Sequence, residues 1–313
     1  MKKLISLVVP CYNEEESILI LYEEIKRVSC ELNDYEMEFV FVDDGSRDNT
    51  LKILKDFAKE DKRIKYISFS KNFGKESAMY AGLCNSKGDY VAIMDADMQD
   101  PPKLLPEMIK KLETGEYDSV ATRRVTRKGE PVIRSFFARL FYKIINRISD
   151  ADITDGARDF RLMKRDMVDA IVSMGEHNRF SKGIFGWVGF RTCWIPYENT
   201  ERVAGTTKWN FWKLFKYSID GIMSFSNAPI SLITALGIVL LLTGAAFAGI
   251  CIAGLVSLKT WTTILLVLIV VFGLQFVSLG VVGKYIMSIN SEVKKRPHYI
   301  ISQTNDSDAE KVK

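Results

Sequence analysis

The 313-residue sequence is poor in the residues that form disulfide frameworks and zinc sites. It has five cysteines, an odd number with no Cys-x-x-Cys pair, and one of them, Cys251, lies inside an apolar stretch. The two histidines, His177 and His298, are too far apart in the sequence to suggest a metal pair. These shortages exclude a disulfide framework and a zinc site, and they favour a reducing compartment.

A large excess of one charge is also absent. The chain has 43 Lys and Arg against 39 Asp and Glu, which gives a formal net charge of +4. The surplus cations lie beside the apolar stretches rather than in a separate basic patch, so the chain lacks the electrostatic footprint of a nucleic-acid-binding protein. Phospholipid head groups of a membrane are the expected partners of these cations.

Two glycine-rich phosphate-binding motifs are missing as well. No Gly-x-Gly-x-x-Gly follows the first predicted strand, and no Gly-x-x-x-x-Gly-Lys-Ser/Thr occurs anywhere. The backbone cradles by which Rossmann and P-loop proteins hold phosphates are therefore excluded. If the ligand carries a diphosphate, a carboxylate-bound Mg²⁺ or Mn²⁺ has to neutralise its charge.

Charged residues are absent from two long stretches near the C-terminus, 221–258 and 260–283. Since about 20 apolar residues span a bilayer, we expect two transmembrane helices at 228–257 and 261–287. Lysines and arginines flank the outer ends of this pair. The positive-inside rule then predicts a multi-pass plasma-membrane protein whose termini and N-terminal domain are cytoplasmic. A buried apolar hairpin of a soluble protein is the alternative.

In the first half of the chain, short β-type runs alternate with helical stretches. Strands are predicted at 4–9, 38–42, 64–69 and 90–94. This alternation predicts βαβ units, and hence an α/β fold with a mostly parallel central sheet within residues 1–208. Asn13 and Ser46 are placed to cap the first two helices.

Polar side chains follow each of these strands. The four loops carry Tyr12 and Glu14, then Asp43 and Asp44, then Lys75, and finally Asp95 and Asp97. Because open α/β sheets bind ligands at the carboxyl ends of their strands, we expect these loops to form one polar cleft. Asp95 and Asp97 can share one divalent cation with a substrate there. Helix capping by each loop is the alternative.

Three segments of the chain carry a resemblance to a known family. Residues 9–14 read Val-Pro-Cys-Tyr-Asn-Glu, residues 42–46 read Val-Asp-Asp-Gly-Ser, and residues 95–102 read Asp-Ala-Asp-Met-Gln-Asp-Pro-Pro. In this order they resemble the family 2 glycosyltransferases. Together with the apolar C-terminal pair, they resemble the polyprenyl-phosphate glycosyltransferases, namely bactoprenol glucosyltransferases and dolichol-phosphate mannose synthases. The resemblance covers nearly the whole chain and implies the GT-A fold.

The resemblance also implies roles for the matching residues. The nucleotide-sugar site would comprise Pro10, Tyr12, Glu14, Asp43, Lys75, Asp95 and Gln99. Asp95 and Asp97 would hold Mg²⁺ or Mn²⁺, and Asp97 would be needed for catalysis. Gln99 would lie towards the donor sugar.

A fourth resembling segment, residues 155–162, implies a catalytic role for Asp159 on the acceptor side. Arg158 is its neighbour in the chain, and if the two side chains meet, Arg158 should lower the pKa of Asp159 and weaken it as a base. A phosphate monoester is already largely ionised near pH 7, so with such an acceptor Asp159 would mainly orient groups. A surface aspartate paired with Arg161 is the alternative.

Four cations are candidates for binding the acceptor phosphate or the donor diphosphate. They are Arg161, Arg179, Arg202 and Lys208. Such side chains form strong charge-assisted hydrogen bonds to phosphate oxygens. For Arg202 and Lys208, contact with lipid head groups is the alternative.

Two further segments are predicted to lie at the membrane surface. Residues 132–148 place an apolar stripe between cations, as expected of an interfacial helix, although a helix facing the core predicts the same spacing. Residues 209–227 are rich in aromatics and predict a juxtamembrane amphipathic helix. Residues 289–313 are expected to form a cytoplasmic tail that is disordered from Ser302 onward.

Together these features predict an inverting glycosyltransferase. The donor would be a UDP-sugar, UDP-glucose or UDP-N-acetylglucosamine, and the acceptor an undecaprenyl or other polyprenyl phosphate used in cell-envelope glycosylation. One alternative is a processive polysaccharide synthase, but its Gln-x-x-Arg-Trp motif is absent. The other is a non-catalytic membrane scaffold that binds nucleotide sugars. The sequence leaves open the transferred sugar and whether the chain forms a homo-oligomer.

Overall fold

The computed structural model describes residues 2–125, 146–148, 154, 156–197, 222, 226, 228–252, 261–307 and 309. Within this part of the chain, eight strands form one sheet in the order β7-β5-β6-β4-β1-β2-β3-β8. The strands are β1 Lys3–Cys11, β2 Tyr35–Asp43, β3 Ile64–Phe69, β4 Tyr90–Ile93, β5 Ser119–Arg124, β6 Ala157–Lys164, β7 Thr192–Tyr197 and β8 Ile301–Thr304.

Helices separate most of these strands. They are α1 Ile18–Glu31, α2 Thr50–Glu60, α3 Lys75–Cys84, α4 Leu105–Glu113, α5 Arg165–Ser173, α6 Ser181–Trp187, α7 Ala228–Ile252 and α8 Trp261–Val293. A 3-10 turn, Pro102–Leu104, precedes α4. Every strand predicted from the sequence is present, and β1 and β2 are each longer than expected.

The strands β3, β2, β1 and β4 are parallel to one another, whereas β6 and β8 run antiparallel to the strands beside them. The parallel strands are apolar on both faces because helices cover both sides of the sheet. Phe39 and Phe41 pack on one face and Val40 and Val42 on the other. The predicted α/β fold with a mostly parallel central sheet is confirmed.

The position of β1 determines where a ligand can bind. Strand β1 lies between β2 and β4. The chain runs from β1 to β2 and β3 on one side of it and then crosses to β4 on the other side. Cys11 is in register with Asp43, and Val8 is in register with Ile93, so the carboxyl ends of all three strands meet at one edge. This is the topological switch point of an open α/β sheet, where a crevice forms.

The predicted helix caps at Asn13 and Ser46 are wrong. Helix α1 begins at Ile18, and Asn13 has a positive φ of 52° in the loop before it. Asn13 accepts a hydrogen bond from the Arg47 backbone at 2.8 Å, and its own backbone N–H donates to Ser46 Oγ at 2.9 Å. The two side chains join the β1 and β2 loops instead of capping helices.

Disorder was predicted from Ser302 onward, but residues 302–304 belong to strand β8, so that prediction is wrong for this segment. Strand β8 pairs antiparallel with β3 and forms an edge of the sheet. Asn305 accepts a hydrogen bond from Tyr66 N at 2.8 Å and donates one to Ile64 O at 2.9 Å. Tyr299 is fully buried and stacks on Phe69, which anchors this polar strand.

Helices α7 and α8 expose large apolar side chains along most of their described length. Within the described residues, Val270–Val293 is the one segment long and apolar enough to cross a membrane, and none of its most apolar window is buried. The two-helix hairpin stays a prediction. Of the predicted interfacial segment 132–148, only 146–148 is described, and the segment 209–221 lies outside the described residues together with Arg202 and Lys208.

Candidate active site

The loop after β2 is held rigidly by its own aspartates. Asp43 is buried and accepts hydrogen bonds from the Ser46 backbone at 3.0 Å and from Ser68 Oγ at 2.7 Å. Asp44 accepts hydrogen bonds from the Phe73 and Gly74 backbones at 2.6 and 2.9 Å. Burial raises the pKa of Asp44 to about 6, although these two bonds oppose the rise. Asp44 thus ties the β3 loop to the β2 loop, a role that sequence reasoning did not predict.

The loop after β1 lies against the loop after β2. Pro10, the next-to-last residue of β1, pairs with Val42, and both Tyr12 and Glu14 are partly buried. Glu14 accepts a hydrogen bond from Ser17 Oγ at 2.8 Å. The residues predicted to surround a base and ribose are thus brought together at one edge of the sheet.

An ionic cluster lies at the carboxyl end of β4. The Lys75 ammonium lies 2.6 Å from Asp95 Oδ1 and also contacts Asp159 Oδ2. The side chain of Asp95 is 20% exposed and that of Asp159 is 16% exposed, so the three groups share a site that is partly shielded from water. Lys75 is predicted from the sequence to be a donor-site residue, and it contacts both Asp95, predicted for the donor side, and Asp159, predicted for the acceptor side.

The charges in this cluster determine the protonation states of Asp159 and Lys75. Burial alone would raise the pKa of Asp159, but Lys75, with Lys182, outweighs burial and holds that pKa well below its usual range. Asp159 and Asp95 in turn raise the pKa of Lys75 against the effect of burial. Near pH 7, Asp159 is therefore ionised and a weak proton acceptor.

Arg158 and Asp159 do not form an ion pair, so the condition under which Arg158 was expected to lower the pKa of Asp159 is not met. The two side chains contact different partners, Asp159 the Lys75 ammonium and Arg158 the side chains of Asp100 and Gln99. Arg158 Nε donates to Asp100 Oδ1 at 3.0 Å, and Arg158 Nη2 donates to Gln99 Oε1 at 3.3 Å. The predicted direction of the Asp159 shift is right, but Lys75 is its main cause. Asp159 is also not a surface residue paired with Arg161.

Sequence reasoning missed a buried network beside the site. Asp100 is fully buried and accepts hydrogen bonds from Arg158 and from the Tyr197 hydroxyl. Burial raises the pKa of Asp100, and Arg158 opposes that rise. The run Asp-Pro-Pro at 100–102 could have marked Asp100 as a residue of the site, whereas nothing in the sequence pointed to Tyr197.

The Asp-x-Asp segment forms a tight turn after β4. Met98 has a φ of 60°, and Asp97 Oδ1 accepts a hydrogen bond from the Gln99 backbone at 3.1 Å. Asp97 is 9% exposed. The turn keeps Asp97 next to Asp95 and Gln99 at the carboxyl end of β4.

These residues fit a divalent cation that is shared with a substrate. In the described part of the chain, no three His, Cys, Asp or Glu side chains gather as metal ligands. Mg²⁺ is commonly held by one or two carboxylates plus substrate phosphates, and Asp95 and Asp97 offer that donor set. His177 and His298, which the sequence did not suggest as a metal pair, have ring centroids 5.4 Å apart, and among the described residues they belong to no such group.

The two described arginine candidates have different surroundings. Arg179 donates hydrogen bonds to the carbonyls of Met174 and Ile171 and lies 4.2 Å over the Tyr80 ring, so it secures the C-terminal end of α5. Arg161 is buried against Phe185 of α6. Arg161 therefore lies on strand β6 together with Asp159, whereas Arg179 lies outside that strand.

The sequence is similar to several glycosyltransferases over nearly its whole length. It is 43% identical to the "Putative glycosyltransferase CsbB" of Bacillus subtilis, over 96% of this chain and 92% of the relative. It is 39% identical to the "Prophage bactoprenol glucosyl transferase homolog" of Escherichia coli, over 96% and 98%. It is 40% identical to the "Bactoprenol glucosyl transferase" of Shigella phage SfV, over 95% and 97%.

Among solved structures, glucosyl-3-phosphoglycerate synthase from Mycobacterium tuberculosis, in complex with Mn²⁺, UDP-glucose and phosphoglyceric acid, is similar at 18% identity. The similarity covers 71% of this chain and 78% of that one, with a TM-score of 0.47. Residues 6–172 match the family described as "Glycosyl transferase family 2". By this match and by the identity to its relatives, the chain belongs to glycosyl transferase family 2.

Proposed function

We propose that this glycosyltransferase moves a sugar from a UDP-sugar to a polyprenyl phosphate, with inversion, at the cytoplasmic face of the plasma membrane. The observation that carries the proposal is the meeting of Asp95, Lys75 and Asp159 at the switch point of the sheet. The relatives named bactoprenol glucosyl transferase support the lipid acceptor and make UDP-glucose the first donor to test.

The donor half of the site is built by the first four strands. Pro10, Tyr12, Glu14 and Asp43 would hold the uracil and ribose, since they lie at the ends of β1 and β2. Asp95 and Asp97 would hold Mg²⁺ or Mn²⁺, which when bound neutralises the charge of a departing diphosphate. Lys75 would place a fixed positive charge beside the same phosphates.

The acceptor half would need little proton transfer. An oxygen of the polyprenyl phosphate attacks the anomeric carbon as the bond from that carbon to UDP breaks, and UDP leaves with the bonding electrons. The attacking phosphate is already ionised near pH 7, so no base has to remove a proton. This agrees with the lowered pKa of Asp159. We assign Asp159 the task of orienting Lys75 and balancing its charge.

The C-terminal helices would bring the domain to its lipid substrate. Exposed apolar side chains along α8 favour insertion into a bilayer, and α7 with α8 would form a two-helix hairpin. The chain between Val293 and Ile301 then returns to pair β8 with the sheet. A short connection of this kind would keep the cleft near the membrane surface, where a polyprenyl phosphate exposes its head group.

Purified full-length protein should therefore label a lipid. We expect radioactivity in the organic phase after incubation with undecaprenyl phosphate, Mg²⁺ or Mn²⁺, and one member of a panel of labelled UDP-sugars. Undecaprenol, which lacks the phosphate, should stay unlabelled. Absence of lipid label across the panel, with protein that is folded by circular dichroism, would rule the proposal out.

A further inference from the structure

Two lysines on different helices act on the carboxylate of Asp159. Lys75 is the first residue of α3 and contacts Asp159 Oδ2 directly. Lys182 is the second residue of α6, and its charge also holds the pKa of Asp159 down. Because Asp159 is partly buried, water and salt screen these charges only weakly. The electrostatic environment of Asp159 therefore depends on where α3 and α6 lie relative to each other.

Helix α6 begins after a residue that is a poor helix cap. The first N–H groups of a helix have no acceptor within the helix. Ser, Thr, Asp or Asn usually supplies that acceptor from the position before the first turn, but here the residue is Phe180, whose ring has no oxygen. Ser181, the first residue of α6, is buried, so its backbone N–H needs a protein partner.

Glu76 of α3 supplies the acceptor for α6. Its Oε2 accepts a hydrogen bond from the Ser181 backbone at 3.1 Å and a second one from the Ser181 hydroxyl. Hydrogen bonds to an ionised carboxylate are shorter and stronger than those between neutral groups. One helix therefore caps the other through a carboxylate.

This Glu76–Ser181 link lies one residue away from both lysines. Glu76 follows Lys75 in α3, and Ser181 precedes Lys182 in α6. Consecutive Cα atoms are about 3.8 Å apart, so a bond made at one residue restrains the backbone of the next. The link thus fixes the separation between the two backbone segments that carry the lysines.

Other contacts hold α6 on the domain but determine its position less sharply. Ile184 and Phe185 belong to the same buried cluster as Met79 of α3. Just before α6, the Arg179 guanidinium carbon lies 4.2 Å from the Tyr80 ring centroid of α3. The hydrophobic effect is non-directional, whereas a hydrogen bond needs a defined distance and angle. Loss of the carboxylate should therefore shift α6 without unfolding the domain.

We propose that Glu76 is a positioning residue, which caps α6 so that Lys182 keeps its charge beside Asp159. This inference rests on the proposed function, in which Asp159 orients Lys75 and balances its charge. When α6 shifts, Lys182 moves away from the carboxylate, and Lys75 alone is left to balance it. A displacement of about 1 Å in a positioned group can lower a rate a hundredfold.

Hydrogen–deuterium exchange of the full-length protein tests the cap without turnover. In Glu76→Ala, the peptide that covers α6 should exchange faster than in wild type, because its first turn has lost an acceptor. Glu76→Gln keeps a side-chain oxygen, so its α6 peptide should exchange nearly as in wild type. The exposed Glu107→Ala is the control. Unchanged exchange of α6 in Glu76→Ala would overturn the inference.

A double-mutant cycle separates positioning from a general structural role. Glu76→Ala should lower kcat for lipid labelling about tenfold, and Lys182→Met should lower it at least as much. In the Lys182→Met background, Glu76→Ala should cost less than about twofold more, because the lysine that it positions is gone. Equal fold losses in both backgrounds, or a wild-type kcat in Lys182→Met, would overturn the inference.

Conservative variants at the same position sharpen the cycle. Glu76→Gln should keep kcat within about threefold of wild type, since the amide oxygen accepts the same hydrogen bonds. Glu76→Asp places its carboxylate one methylene short of Ser181 and should resemble the alanine variant. If Glu76→Ala does not fold, Glu76→Asp replaces it in both experiments, and wild-type exchange and kcat in that variant overturn the inference.

The outcomes also distinguish the inference from the function on which it rests. Lipid labelling by the wild type, with unchanged α6 exchange in Glu76→Ala, would overturn the positioning role and leave the proposed transfer in place. Faster α6 exchange in Glu76→Ala, without lipid labelling by the wild type, would support the cap and overturn the proposed transfer.

Discussion

The two halves of the sheet differ in how they use buried charge. On the side of β1 to β4, the buried aspartates Asp43 and Asp44 accept hydrogen bonds from nearby backbone groups, and Asp95 is paired with Lys75. On the side of β5 to β7, Arg158 is paired, but Nε and Nη1 of Arg161 have no partner among the described residues. A group that is fully satisfied holds a loop in shape, whereas a group left unsatisfied has bonding capacity to spare for a ligand. The β1 to β4 side therefore holds bonded aspartates, whereas the β5 to β7 side keeps two arginine nitrogens without a partner among the described residues.

The largest expected effect comes from the donor side. Asp97→Asn should lower the rate of lipid labelling about a thousandfold or more, because stabilising the charge on a leaving group contributes strongly to catalysis. The measurement is the initial rate at saturating Mn²⁺. Asp56→Asn, an exposed aspartate paired with Lys59, is the matched control and should be unaffected. A rate within tenfold of wild type would contradict the assigned role of Asp97.

The paired and unpaired arginines should respond in opposite ways. Arg158→Met leaves Asp100 buried without its cation, so the free energy of unfolding should fall by about 3 kcal/mol or more. Arg161→Met should cause no such loss. Denaturant unfolding followed by tryptophan fluorescence measures both variants. If both variants lost the same free energy of unfolding, the two arginines would contribute equally to stability. The contrast drawn between the two halves of the sheet would then be wrong.

Lys75 links the two halves, and its removal should change both rate and pH dependence. Lys75→Met should lower kcat about ten- to a hundredfold through misplaced aspartates. Without the ammonium, Asp95 and Asp159 repel each other, so the pKa of Asp159 should rise above its unfolded value. A group with a raised folded pKa loses its stabilising effect as pH rises.

The melting temperature of Lys75→Met in EDTA should therefore increase from pH 7 to pH 5, relative to wild type. Wild-type Asp159, whose pKa is lowered, keeps its contribution over this range and loses it only in strong acid. Lys59→Met, which breaks an exposed pair, is the control. A constant difference between variant and wild type from pH 7 to pH 5 would argue against the Lys75 link.

The smallest expected effect lies at the other edge of the sheet, far along the strand order from Arg161. Asn305→Ala removes hydrogen bonds to Tyr66 and Ile64, which should lower the free energy of unfolding by about 1 to 2 kcal/mol. Its acceptor KM should stay at the wild-type value. Asn33→Ala, an exposed loop change, is the control. A raised acceptor KM in Asn305→Ala would show that the acceptor site extends beyond the β5 to β7 side.

The donor side could be predicted from the sequence because its signals are local. Each strand is a short apolar run, and the polar residues at its end follow directly in the chain, as with Asp95 and Asp97. The helix caps were mispredicted because Asn13 and Ser46 bond to each other's loop, and such pairing between distant positions leaves no periodic signal.

The acceptor side depends on contacts between distant segments. Arg161 meets Trp194, and Asp100 meets both Arg158 and Tyr197, none of which is evident from spacing. Strand β8 was missed because its polar sequence carries no apolar alternation, and only pairing with β3 orders it.

The most direct test of the account is the anomeric configuration of the lipid-linked product. Full-length protein should convert a UDP-sugar, whose sugar is α-linked, and undecaprenyl phosphate into a β-linked sugar phosphate, as read by NMR from the coupling of the anomeric proton. That result follows from direct attack by a phosphate oxygen next to Asp159. An α-linked lipid product, or release of free sugar with no lipid product, would contradict it.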